Sequence, residues 1–168
     1  MKKAIVLYNS RGGNTEKVAM KIAEGLGAEC RNHRQIPDLK DYELIVVGSW
    51  MMMGRISFAG ARLLRKIRRK AIAGKKFALF FTAGGPDEIH HATENTDEPK
   101  TYKEIMFESM EKRLSKDKQI TILPERFYTL GTLRMPLFGV EENPGHPSEE
   151  ELAQAKAFGE QLKKQLEP

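Results

Sequence analysis

The sequence predicts a three-layer α/β domain, a five-stranded parallel sheet with helices on both faces. Three observations predict it. The runs at residues 3–8, 43–48 and 76–82 are short and apolar throughout, as strands buried on both faces must be. Each run breaks into a stretch rich in Gly, Ser or Thr. A segment of helical period follows each break. Strands and helices therefore alternate along the chain, the pattern of a parallel sheet covered on both sides.

Taken in order, the first run ends at Asn9-Ser10-Arg11-Gly12-Gly13. From Thr15 the period changes: Val18, Ala19, Ile22, Ala23 and Leu26 recur at helical spacing, and Gly27 stands at the stop. Residues 28–34 form a weak, polar strand candidate of the kind found at a sheet edge, and Ile36-Pro37-Asp38 is a turn. The second strong strand, 43–48, leads into a loop at 49–54. In 57–72, Leu63, Leu64, Ile67 and Ala71 share one helical face, with Arg62, Arg65, Lys66 and Arg69 largely on the other; Gly74 ends the segment. The third strong strand is broken by Ala83-Gly84-Gly85-Pro86. After a polar loop at 87–98, Pro99 suits a first helical turn, and Ile105, Met106, Ser109, Met110 and Arg113 trace the helix. Residues 119–131 are mostly strand, with Pro124 demanding a bend or an edge position. A loop with three prolines, 132–147, closes the site or forms an interface. The last helix opens on a capping box, Ser148 with Glu151, and continues through Leu152, Ala155, Phe158, Leu162 and Leu166.

The bulk numbers bound the function. A chain of 168 residues suits one domain spanning 1–168. Its single cysteine, Cys30, forms no internal disulfide and no cysteine metal cluster. The N-terminal apolar run is too short for a secretory core, and no stretch reaches the roughly 20 apolar residues of a membrane span; a cytoplasmic protein is expected. Net charge is +5 and unevenly spread. Residues 44–86 contain no Asp or Glu but nine Lys or Arg, whereas 141–167 hold seven Glu against three Lys. A basic patch of this kind attracts acidic partners, anionic lipid or nucleic acid; a merely solvated helix face gives the same pattern.

Ligands of open parallel sheets bind beyond the carboxyl ends of the strands. Three loops leave strong strands at that edge, at 9–15, 49–54 and 83–91, and none carries a carboxylate before Asp87. Such a site, joined to a helix N-terminus, suits an anion. Gly12 and Gly13 let the main chain wrap a phosphate, while Ser10, Asn14 and Thr15 offer short polar groups and Arg11 a charge or a solvent-facing side chain. No Gly-Lys-Ser/Thr follows, so this is not a Walker A loop. The Gly-x-Gly-x-x-Gly dinucleotide fingerprint is also absent. A plain capped strand-to-helix turn would use the same residue types.

Tyr8-Asn9-Ser10-Arg11-Gly12-Gly13-Asn14-Thr15 resembles the flavodoxin phosphate loop, Ser/Thr-x-Thr-Gly-x-Thr, with matches at Ser10, Gly13, Asn14 and Thr15. Gly12 departs, standing where Thr is usual and removing one hydroxyl. Residues 41–49 resemble the family's third strand and the start of its second flavin loop; Met53-Gly54-Arg55-Ile56 resembles that loop's exit, and Phe80 to Gly85 the start of the third. The resemblance implies a flavodoxin-like sandwich of strand order 2-1-3-4-5 with FMN at the switch point. It implies cofactor contacts from Ser10, Arg11, Gly12, Gly13, Asn14 and Thr15; from Ser49, Trp50, Met51, Met52, Met53 and Gly54; and from Thr82, Ala83, Gly84 and Gly85. Trp50 is a candidate for one face of the flavin ring. The methionines offer polarizable surface to the ring or to a quinone, or else fill the core below. The third loop lacks the Tyr common in flavodoxins, leaving the second ring face open to substrate or to a partner. His90 and His91, being adjacent, suit a surface loop or a contact to the flavin edge better than one metal.

Two flavin roles follow: an electron carrier, or an FMN-dependent oxidoreductase acting on a quinone-like molecule, as in the flavodoxin-like protoporphyrinogen oxidases. Carrier flavodoxins are generally acidic. This basic chain suits an acidic redox partner such as a ferredoxin-like protein, or peripheral contact with an anionic membrane where quinones sit. The alternative is a flavin-free module of the same fold whose basic face binds an acidic partner or nucleic acid. Nucleic acid is not expected, since no motif for it is present and aromatic residues do not interleave the Arg-Lys run.

Overall fold

The computed structural model describes residues 3–116 and 118–166; Met1 and Lys2 of the N-terminal run and Glu167 of the acidic tail lie outside the described residues. The first apolar run forms β1 (Lys3–Tyr8), and α1 (Asn14–Leu26) follows the Gly-rich turn. The polar edge strand is β2 (Glu29–Asn32), shorter than its sequence pattern. Next come β3 (Tyr42–Met52) and a short return strand, β4 (Arg55–Ile56), antiparallel to it. They are followed by α2 (Phe58–Arg68), β5 (Lys76–Ala83), α3 (Tyr102–Ser115) and β6 (Thr121–Leu130). A hairpin of β7 (Leu133–Met135) and β8 (Val140–Glu142) precedes α4 (Glu149–Lys163).

The main sheet runs β2-β1-β3-β5-β6, every neighbouring pair parallel. With the small return strand set aside, this is the order 2-1-3-4-5. Alternate residues of each central strand serve two cores. Ile5, Leu7, Ile45, Val47, Phe77, Leu79 and Phe81 pack with Leu63, Leu64 and Ile67 of α2 and Met106, Phe107 and Met110 of α3. Val6, Tyr8, Leu44, Val46, Ala78 and Phe80 pack with Val18, Ala19 and Ile22 of α1 and Ala155, Phe158 and Leu162 of α4. Burial on both faces is why these strands carry no polar alternation. No described helix is long and apolar enough to cross a membrane.

Four local expectations are corrected. α2 stops at Arg68, not at residue 72, because the backbone leaves the helix and delivers Ile72 to the core at 1% exposure. α3 opens at Tyr102, not near Pro99, because Thr101 and Glu104 close a capping box there. The third strong strand runs one residue further, to Ala83, and Pro124 sits where the β5–β6 register shifts, in an irregularity that spares the ladder. The loop at 49–54 is largely strand and is treated with the site below.

Candidate functional site

The first loop begins one residue past β1. The Asn9 amide donates to Gly48 O on β3 (3.2 Å), which fixes where the chain leaves the sheet. The Asn9 side chain is buried: Nδ2 donates to Ser57 Oγ (3.3 Å), and Oδ1 has no partner among the described residues. An unpaired buried polar atom costs about 1–3 kcal/mol, so its presence at a strand end is informative. The turn then closes on itself, with the Gly13 amide donating to Ser10 Oγ (3.0 Å). Gly13 is the N-cap of α1 at φ 90°, a left-handed conformation, and supplies no capping side chain. A Cβ placed on Gly12 or Gly13 would meet nothing within 4 Å, so the space above the turn is open. The first-turn amides of α1 have no carbonyl one turn earlier, and the helix dipole adds positive potential. The assembly is an anion cradle made of backbone, with Arg11 exposed at its rim.

Two of the short polar groups in this loop are engaged within the protein. Thr15 Oγ1 lies 2.8 Å from Thr82 Oγ1, both buried, and this pair joins the first loop to the end of β5. Asn14 Nδ2 donates to Thr132 O (2.8 Å), at the foot of the β7–β8 hairpin. Ser10 accepts from Gly13 and keeps its own hydroxyl proton for a ligand.

The segment 49–54 is a correction. Ser49 to Met52 continue β3, with Trp50 opposite Thr82 of β5 and Met52 opposite Arg55 of β4. Met53 (φ 49°) and Gly54 (φ 74°) form a two-residue turn, positive at both positions as tight hairpins require. Ser49 is buried, its Oγ 3.4 Å from Ser57 Oγ, and Met51 packs on the α2/α3 core. Trp50 and Met52 are half-buried, whereas Met53 is 89% exposed.

In the third loop Thr82 and Ala83 are buried and Gly84 and Gly85 half-buried. Gly84 O accepts from Asn143 Nδ2 (2.7 Å) and Ala83 O from the Gly131 amide (3.0 Å), so the segment after β6 is tied to this loop. Asp87 takes hydrogen bonds from Lys103 (2.7 Å) and Tyr128 (2.9 Å), which hold its carboxyl below the ordinary range. His90 is a second correction, for it is buried and not on the surface. The Ala92 amide donates to its Nδ1 (3.1 Å), so Nε2 carries the proton and donates to Gly54 O (3.2 Å). The ring thereby joins the second hairpin to the third loop, stacked on His91 and packed against Tyr102.

Asn9, Ser57 and Asn143 escape sequence reasoning as site residues. Only Asn9 carries a signal, a polar residue directly after a buried strand. The loop at 132–147 is resolved into the β7–β8 hairpin. Its base is bonded to the first and third loops, and Leu137 and Phe138 at its tip are 95% and 77% exposed.

This arrangement has close relatives. A family model described as a flavodoxin domain matches residues 5–160, and the chain belongs to that family. An uncharacterised protein of Methanocaldococcus jannaschii is 31% identical over 169 residues, covering 96% of this chain and 99% of the relative. The flavodoxin-like domain-containing protein BilS of Clostridioides difficile is 24% identical over 189 residues, covering 95% of this chain and 96% of BilS. Among solved structures, an archaeal flavodoxin superposes with TM-score 0.68 at 18% identity, covering 99% of both chains. The flavodiiron core of Flv1 from Synechocystis gives 0.67 at 13% identity, with 98% of this chain matched to 36% of the larger protein. The structural likenesses bear on the fold. Family membership supports a flavin-binding, electron-transfer role and implies a flavin cofactor, generally FMN.

Proposed function

We propose that residues 1–168 act as a single FMN-binding domain that carries electrons between redox partners. The observation that carries this reading is the bare N-terminus of α1. Gly13 caps it without a side chain, Gly12 and Gly13 leave the space above open, and the first-turn amides have no carbonyl one turn earlier to take their protons. A phosphate monoester, dianionic and rich in acceptors, suits such a cradle. The residues around it suit the rest of FMN. Asn9 Oδ1 is a buried acceptor without a donor among the described residues, Trp50 and Met52 offer apolar surface to a flat ring, and Gly84 and Gly85 offer backbone groups to its polar edge. Bound FMN would supply one- and two-electron chemistry; the chain's part is to hold the phosphate, orient the ring and limit water.

The test is a titration with FMN and with riboflavin, which lacks the phosphate, followed by flavin fluorescence. FMN is expected to bind at least about tenfold more tightly than riboflavin, a difference of roughly 1.4 kcal/mol. Gly12→Asp places a carboxylate in the open space over the amides. It is expected to abolish that preference while leaving riboflavin affinity nearly unchanged. Equal affinity for the two flavins, or no binding of either, would remove the reading.

A second reading, reduction of a flat apolar acceptor such as a quinone, is favoured by the exposed apolar tip of the β7–β8 hairpin beside the site. Under it, Leu137→Ser with Phe138→Ser slows reoxidation of the reduced FMN-loaded protein by a soluble quinone. Under the carrier reading, that rate is unchanged.

A further inference from the structure

Residues 44–86 contain no carboxylate, and α2 lies inside that stretch. Its amphipathic pattern buries Leu63, Leu64 and Ile67 and turns the arginines outward. Between α2 and α3 this leaves a groove of about 370 Å³ lined by Phe58, Ala61, Arg62, Arg65, Arg68 and Arg113. Among the described residues, none of these four arginines has a carboxylate within ion-pair reach, although Arg31, Arg126 and Arg134 each do. Arg68 Nη1 donates to Arg113 O (3.3 Å) and Arg113 Nε to Ser109 Oγ (3.4 Å); both bonds fix guanidinium groups without neutralising them. The groove continues between the helices past Lys112 and Lys116, and Glu108, the one acid on its wall among the described residues, is bonded to Lys100 at 2.7 Å. Clustered like charges repel, and among the described residues no counter-charge pairs with the four arginines.

We propose that this groove is the docking surface for a carboxylate-rich face of a partner redox protein. Charge selects the occupant: arginine forks match carboxylates in pairs and hold them in a fixed geometry. Composition selects a protein face over a small ion. Phe58 is 86% exposed at the head of the groove, and an exposed aromatic beside several arginines is the mixture enriched at protein–protein contacts. Position supplies the redox character. Phe58 directly follows Ser57, whose hydroxyl accepts from Asn9 at the root of the first loop, so the upper end of the groove adjoins the candidate flavin site. The redox character therefore rests on the FMN reading, whereas binding of an acidic face does not.

The experiment measures binding apart from electron transfer. A small acidic ferredoxin serves as the probe and is titrated into the isotope-labelled full chain, with and without FMN, while backbone amide shifts are followed. At about 20 mM salt, shifts are expected along α2 and α3 and are expected to fade as salt screens the contact. Arg62→Gln, Arg65→Gln and Arg113→Gln together should weaken the probe's binding by about tenfold or more, and Phe58→Ala should weaken it further. FMN affinity should be unchanged in both variants, which also reports that they fold. Absence of probe binding by the parent chain, shifts confined to another face, or equal binding by the triple variant would each overturn the proposal. So would displacement of the probe by millimolar phosphate, which marks a small-anion site, or tighter arginine-dependent binding to anionic vesicles or duplex DNA. If FMN fails to bind while the groove still takes the probe, the flavin reading falls and the docking surface stands.

Discussion

Glu151 serves two ends of the structure at once. Its carboxylate accepts from the Ser148 amide (2.6 Å), closing the capping box of α4, and from His146 Nδ1 (2.7 Å) in the segment after the β7–β8 hairpin. Burial pushes this carboxyl up, but the Ser148 amide and His146 outweigh it and hold it below the ordinary value of 4.5. The sign follows: stability from Glu151 is full above the unfolded value and is lost as pH falls through the lower folded one. Glu151→Gln is expected to cost about 1 kcal/mol near neutral pH, with the gap to the parent closing as the medium becomes acid. Urea denaturation of both proteins across pH reads it, and a gap that widens on acidification would contradict the assignment. Asn9 and Met53 depart from rule in other ways, one as a buried acceptor without a donor among the described residues and one as a non-glycine at φ 49°. Both lie at the candidate site, where local irregularities concentrate.

Among the elements, the α1/α4 layer has little slack. A Cβ on Gly25 would lie 2.0 Å from Lys156 O, and one on Gly159 would lie 2.1 Å from Ile22 O. The two helices touch backbone to backbone, so Gly159→Ala must drive them apart. A cost of about 1–3 kcal/mol is expected, although alanine is the better helix former. Thermal unfolding measures it; a neutral or stabilised variant would show that the layer yields. Element types were legible wherever burial is two-sided, because strands such as β1 and β5 then read as unbroken apolar runs. The extension of β3 was not legible. Met51 and Met52 are paired by only two residues of β4, through a Met-Gly turn lacking the usual Asn-Gly signal. The β7–β8 hairpin, three residues per strand, was hidden by its prolines. In the site, the Gly12-Gly13 turn was legible from local chemistry alone. The Thr15–Thr82 pair and the bond from Asn14 to Thr132 were not, since they join residues 67 and 118 positions apart and only the sheet order brings them together.

At the scale of the whole molecule, FMN bound to the folded form alone must raise its stability by mass action. At a hundredfold excess over the dissociation constant this is about 2.7 kcal/mol. For a chain of this size it corresponds to a rise of roughly 5–10 °C in the unfolding midpoint. Scanning calorimetry with and without FMN reads the shift, and an unmoved midpoint at saturating FMN would count against the site. The interactions that join the loops have a bearing on that binding. Thr15 to Thr82, Asn14 to Thr132, Asn143 to Gly84 and His90 to Gly54 are all bonds between groups of the protein itself. These bonds brace the loops against one another as the chain folds, which would leave a bound flavin few loose segments to order. Little conformational entropy remains to be lost at that step, so the empty and the loaded protein should share one shape.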